Sequence, residues 1–171
     1  MWVENAKERW MNFYQLYLAS LVARLLGASG VETFREASEG AGMDLASYVS
    51  QLGLGAVDIE DALALLNAAM GLADHLRVST EGGMLEVKVH KPSCRMCPGL
   101  LNGSQPTPKC PLYGLVKGFL EGQKVAALEY GCLEPEDKSE WCILCYKVRG
   151  SRAATCKGEL DGSSRSTLSL A

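Results

Sequence analysis

Seven cysteines stand in this 171-residue chain, all in its second half and five of them between residues 94 and 142. Cys94-x-x-Cys97, followed after twelve residues by Cys110, has a spacing that suits one zinc ion, and Cys142-x-x-Cys145 offers a second pair. Cys94, Cys97 and Cys110 with either Cys132 or Cys142 would make a closed set of four thiolates. The same thiolates suit an iron–sulfur cluster. Without metal, Cys94 and Cys97 would be a redox pair, or the thiols would pack as small hydrophobes. Spacing alone leaves these readings open. His90, four residues before Cys94, is a further candidate donor, although a solvated position on the polar face of a strand accounts for it. His75 falls where a helix should end, a place that favours a cation. With only these two histidines, no Ser-His-Asp or Cys-His set assembles, so the chain reads as a non-catalytic protein. Gly53 and Gly55 form no phosphate-binding loop, because no strand precedes them.

The rest of the composition narrows the classes. Apolar residues make up 47% and charged ones 22%, which excludes wholesale disorder, and a net charge of −3 argues against nucleic acid as a partner. No apolar run is long enough for a membrane span, and no secretory signal is legible. An odd number of cysteines without such a signal points to a cytoplasmic protein with reduced thiols. The length suits one domain, expected over 1–150, with a loosely held tail over 151–171.

Several elements must position these residues. From Trp2 to Leu26 there is neither Gly nor Pro, which predicts one helix. On it Trp10, Tyr14, Tyr17, Leu21 and Leu25 recur at spacings of three and four, with Phe13, Leu18, Val22 and Leu26 beside them. That apolar arc is wider than one core face needs, so the helix should also meet a second chain or line a pocket. Ser29-Gly30-Val31-Glu32 has capping-box spacing and predicts a short helix ending before Gly40, with another from Asp44 to Leu52. Asp58 should open a helix with Ile59, Ala62, Leu63, Leu66, Ala69, Met70 and Ala73 as its stripe. At Leu76 the period changes from 3.6 to 2, and two alternating runs flank Glu81-Gly82-Gly83, which predicts a hairpin. After a loop over 92–108, Cys110-Pro111 reads as the start of a helix ending at Gly122. Lys124 to Cys132 and Trp141 to Arg149 then read as strands joined by an acidic loop. The expected class is α+β: N-terminal helices packed on one four-stranded antiparallel sheet, with a Cys-rich loop and a helix between the two hairpins.

The run ALALLNAAMGLADH, the hairpin LRVSTEGGMLEVKVH, then CRMCP, CPLYGLVKGFLEG and EYGC…WC together resemble the vinyl-4-reductase domain family. The resemblance implies a fold related to the trafficking-complex ligand-binding subunits. It also implies a role in holding hydrocarbons or other apolar small molecules rather than transforming them. It further implies one zinc, carried residue by residue onto Cys110, Glu129, Cys132 and Cys142. Glu129 and Cys132 are three apart, and a bulge at Gly131 would be needed to bring both to one face. The nine residues between Cys132 and Cys142 make a longer loop than the family pattern. A hydrophobic or aromatic ligand is expected between helices and sheet, against Phe13, Tyr17, Leu66, Met70, Phe119 and Tyr130. The resemblance adds a homodimer through the N-terminal helix and a separate output protein. Two other functions stay open: a zinc-stabilised adapter for a partner protein, and a thiol enzyme using Cys94 and Cys97.

Overall fold

The computed structural model describes residues 10–28, 30–96, 110–135 and 140–149. Among the described residues, four helices and four strands form the expected α+β arrangement, in the order α1 (Phe13–Ala28), α2 (Val31–Gln51), α3 (Ile59–Met70), β1 (Leu76–Glu81), β2 (Met84–His90), a 3-10 turn (Lys91–Ser93), α4 (Pro111–Gly122), β3 (Leu128–Pro135) and β4 (Trp141–Val148). All strand pairs are antiparallel and the sheet order is β1-β2-β4-β3. The predicted Cys-rich loop falls outside the described residues over 97–109, and so does the predicted tail.

Local chemistry explains most boundaries. Asn12 and Gln15 exchange hydrogen bonds between side chain and backbone, the reciprocal cap that opens α1. That start corrects the helix expected from Trp2: Trp10 has a positive φ and breaks any continuation. The Asp58 side chain accepts from the Asp61 N–H at 2.8 Å and opens α3, and Gly71 closes it in the left-handed conformation. Gly82 and Gly83 both have positive φ, as a two-residue hairpin turn between right-twisted strands requires.

The two helices expected on either side of Gly40 are one helix of 21 residues. Packing overrides the poor helix propensity of Gly40 and Gly42. Gly42 lies flush against α4, where a Cβ would collide with the Leu115 carbonyl oxygen and the Phe119 nitrogen. Gly114, Gly118 and Gly122 repeat every fourth residue along α4 and face α2 in the same way: a Cβ at Gly114 would lie 2.6 Å from the Arg35 carbonyl oxygen. Two helices stripped of side chains along the contact approach backbone to backbone. As a result α4 is buried from Pro111 to Leu120 and forms the centre of the molecule, between α2 and the sheet.

The sheet presents Leu85, Val87, Val89, Cys142, Leu144, Tyr146, Leu128 and Tyr130 to the helices, with Leu63, Leu66, Leu112, Val116 and Phe119 completing the core. β3 begins at Leu128 rather than Lys124, because Lys124 has a positive φ and belongs to the turn after α4. The expected bulge is present. Tyr130 faces Tyr146 and Leu133 faces Leu144, so Gly131 and Cys132 together oppose Cys145.

Candidate functional site

The densest polar group in the interior joins α2, α4 and β3. Lys117, only 7% exposed, sits in the middle of the otherwise apolar α4. Its ammonium donates to Glu39 of α2 and, at 2.8 Å, to Glu121 one turn further along α4. The other oxygen of Glu39 accepts from the Tyr130 hydroxyl at 2.7 Å, and the other oxygen of Glu121 accepts from the Leu128 N–H at 2.8 Å. Arg35 lays its guanidinium over Tyr130, 4.8 Å from the ring centroid. Tyr113 and Tyr146 complete the group, each hydroxyl donating to a backbone carbonyl: Tyr113 to Cys145 and Tyr146 to Tyr113.

Every member has a partner, and the charges respond accordingly. Burial pushes the Glu39 carboxyl up, but the hydrogen bonds from Lys117 and Tyr130 outweigh it and hold the group below its ordinary 4.5. Burial pushes Lys117 down, but Glu121 and Glu39 outweigh it and hold the ammonium above its ordinary 10.5. Burial, then the neighbouring Glu39 carboxylate, raises the Tyr130 phenol. Burial raises that of Tyr146. A cation kept charged and a phenol kept neutral make a structural clamp, with no group poised to give or take a proton near neutrality. Sequence patterning did not single this network out. Its signal is a Lys and a Glu four apart inside a helix apolar on every other face.

A second polar group sits where β4 begins. The His75 and His90 rings meet at 5.5 Å, His90 stacks beside Trp141, and Arg77 lies over the Trp141 ring. His90 Nδ1 lies 3.1 Å from the Ser93 hydroxyl and its Nε2 lies 3.9 Å from Glu140. Ser, His and Glu are thus adjacent, but Ser93 is buried, accepts from the Asp74 N–H and donates to the His90 carbonyl. Its hydroxyl holds the 3-10 turn that leads to Cys94. Among the described residues, neither histidine belongs to a group of three or more side chains that could hold a metal ion.

The candidate zinc ligands are distributed unevenly. Cys142 is on the helix-facing side of β4 beside the core, in register with Val89, and Cys94 is buried just beyond the end of β2. Cys110 is the residue before α4 and also packs against the core. α4 ends beside Leu128, and its first turn is tied to β4 at Cys145 and Tyr146 through the Tyr113 and Tyr146 hydroxyls. Glu129 does not join Cys94, Cys110 and Cys142. It pairs with Lys147 on the outer side of the sheet and its carboxylate lies 3.3 Å from the Arg149 guanidinium. The bulge follows Glu129 and does not turn it inward, so Glu129 stays on the side of the sheet opposite Cys142. Among the described residues no three His, Cys, Asp or Glu are arranged to hold a metal ion. Cys97 and the Cys132 side chain lie outside them.

The six residues expected to line a pocket do not share one. Leu66 and Phe119 are fully buried core, Met70 is half-buried at the end of α3, and the Tyr130 hydroxyl is committed to Glu39. Tyr17 faces outward, and the Phe13 side chain lies outside the description. What the structure shows instead is Trp10, just before α1, and Tyr14, Tyr17, Leu21 and Leu25 on α1 all exposed, from 39% at Leu21 to 86% at Trp10. The buried anchor of α1 is Ala19, helped by the Gln15 amide donating to the Met70 and Gly71 carbonyls. No described helix is long and apolar enough to cross a membrane.

Among the described residues, four helices and a four-stranded antiparallel sheet, with α4 between α2 and the sheet, define an α+β domain. Residues 27–149 match the model of the MJ0207 family, and the chain belongs to that family. Membership of the vinyl-4-reductase family itself is not shown. Among solved structures, the chain is similar to a trafficking protein particle complex subunit 3 from Naegleria fowleri covalently bound to palmitic acid. The identity is 12%, the TM-score is 0.49, and the match covers 82% of this chain and 96% of that one. None of the curated proteins matches the chain.

Proposed function

We propose that the protein is a non-catalytic binding module for an apolar or aromatic small molecule, working as a homodimer whose contact runs along α1. The observation that carries this reading is the exposed run Trp10, Tyr14, Tyr17, Leu21 and Leu25, the last four on α1. Those side chains offer roughly 500 Å² of apolar surface, toward the upper end of the largest patch on a typical soluble monomer, where such patches are often functional. Two copies joined by it would bury about 1,000 Å², the lower bound for a specific contact. The domain interior is filled by Leu66, Tyr113, Phe119 and Tyr146, so the space for a ligand belongs between the aromatic stripes of the two copies. The Leu21→Glu variant should sediment as a folded monomer while the wild type sediments as a dimer. A wild type that is monomeric at 100-fold higher concentration would remove the reading.

Zinc enters as part of the proposal, on Cys94, Cys97, Cys110 and Cys142. Thiolate chemistry supports it, as does the packing of Cys94, Cys110 and Cys142 in or against the same core cluster. Bound there, zinc would tie the segment after β2 to the start of α4 and to β4. The Cys94→Ser/Cys110→Ser double variant should bind less than a tenth of the zinc of the wild type and melt at lower temperature, read by elemental analysis and calorimetry. Equal zinc content in the two proteins would remove the site.

A second reading, an adapter for a protein partner, is favoured by a separate apolar group. Tyr48 and Leu52 at the end of α2, with Leu54 and Val57 in the following loop, are all exposed. Pull-down by the wild type, lost in Leu52→Asp but kept in Leu21→Glu, would support that reading over the first.

A further inference from the structure

The connection between α3 and β1, over 71–75, is gripped from three directions. From α3 itself, the Asn67 amide bonds to the Ala73 N–H and carbonyl. From α1, Gln15 Nε2 donates to the Met70 and Gly71 carbonyls, each at 3.3 Å. From the segment after β2, the Ser93 hydroxyl accepts from the Asp74 N–H, and the Arg95 N–H donates to the Leu72 carbonyl. The mostly buried Arg95 guanidinium then spans the connection. Its Nη1 donates to the Gly71 carbonyl at 3.2 Å and its Nη2 to the Asp74 carboxylate. Gln15 and Arg95 thus share one acceptor.

The shared carbonyl governs how α1 is attached. Among the described residues, the hydrogen bonds from α1 to the rest of the domain are these two from Gln15. The amide rests directly on Gly71, where a Cβ would stand 2.8 Å from Nε2. A carbonyl at the end of a helix has no donor within that helix, so its direction is set from outside. Arg95 sets it here, since its planar fork reaches the Gly71 carbonyl and the Asp74 carboxylate together. Tyr14 and Tyr17 stand one residue before Gln15 and two after it. A shift in the seat of Gln15 therefore displaces both exposed rings.

We infer that Arg95 is a positioning residue for the α1 contact, and that it makes the seat of α1 conditional on the order of the segment after β2. The inference rests on the reading of α1 as the contact helix. Cys94 directly precedes Arg95, so a change at that cysteine is felt by Tyr14 and Tyr17 through one guanidinium and one carbonyl. The coupling passes through hydrogen bonds that are each on the page, and a double-variant cycle measures it.

The test uses the full chain with Arg95→Met, Gln15→Leu and both together, each made in the wild type and in the Leu21→Glu background. Hydrogen exchange of the α1 amides is read in Leu21→Glu, where no dimer protects them. Arg95→Met should lower α1 protection about fivefold there, the scale of one hydrogen bond. In Gln15→Leu the same change should move it less than twofold, because the bond that Arg95 positions is gone. Arg95→Lys should restore part of the loss, since one ammonium still reaches the Gly71 carbonyl. An arginine that served only overall stability would lower protection in α2 and α4 and leave the opening of α1 unchanged. In the wild-type background, sedimentation should show a dimer dissociation constant raised about fivefold by Arg95→Met. A dimer with α1 exchange unmoved by Arg95→Met, or moved as much in Gln15→Leu, would overturn the inference alone. A wild type that never dimerises would overturn the contact reading and the inference with it.

Discussion

Gly118→Ala is expected to lower the unfolding free energy by about 3 kcal/mol or more, from a single added methyl. A Cβ at that position would overlap the Glu39 carbonyl oxygen and lie 2.8 Å from the Glu39 carbonyl carbon, both of them backbone. Backbone in the middle of α2 cannot rotate away as a side chain would. Relief therefore requires the helices to separate, and α4 cannot retreat because its far side is packed on Leu144 and Tyr146 of the sheet. Gly40 is the internal comparison. It also lies within α2, but nothing stands within 4 Å of where its Cβ would be. Gly40→Ala should therefore raise stability by up to about 1 kcal/mol, the helix propensity difference alone. Urea unfolding of the two variants reads both signs. Similar effects at the two positions would contradict the flush α2–α4 contact.

Lys117→Met should cost about 3 kcal/mol at neutral pH. The substitution removes the ammonium that lies between Glu39 and Glu121 and leaves two carboxylates in a mostly buried site. The loss should depend on pH in a definite direction. In the wild type the Glu39 carboxyl is held below 4.5, so its contribution is complete above pH 4.5 and is lost as pH falls through the lowered value. Lys117 is held above 10.5, so its contribution is complete below pH 10.5 and is lost as pH rises through the raised value. Without the ammonium the carboxylates gain by protonation. The gap between wild type and variant should be widest near pH 7 and narrow below pH 4.5. A gap that does not change between pH 7 and pH 3.5 would mean that Lys117 acts through its methylenes alone.

The elements that could be read from the sequence are those with a local cause. Asp58, the Gly82-Gly83 turn and Cys110-Pro111 each announce their structure within three or four residues, and the structure has all three. The period of two in β1 and β2 is equally local. The break expected near Gly40 failed because the reason for Gly40 and Gly42 being helical is α4, some seventy residues away. The same distance hid the Glu39–Lys117–Glu121–Tyr130 network. Each residue alone reads as surface charge or as core, and only the packing of α2 on α4 and β3 makes them one unit. Of the pocket residues, Leu66 and Phe119 carried a pattern that core and pocket share, so periodicity could not separate the two. Tyr17 belongs to an apolar arc wider than a core face needs, a pattern shared by a pocket wall and an outward face, and it faces outward rather than toward the sheet. The bulge at Gly131 was also legible. It follows Glu129 and leaves that residue in register on the outer side of the sheet, because Tyr130, with its hydroxyl on Glu39, takes the inner position.

Native mass spectrometry of the wild-type protein, purified without added metal or chelator and sprayed at several concentrations, tests the central claim most directly. The account predicts a dimer that retains an organic mass of apolar or aromatic character, with both the dimer and the extra mass lost in Leu21→Glu. A monomer at every concentration carrying no organic mass would contradict it.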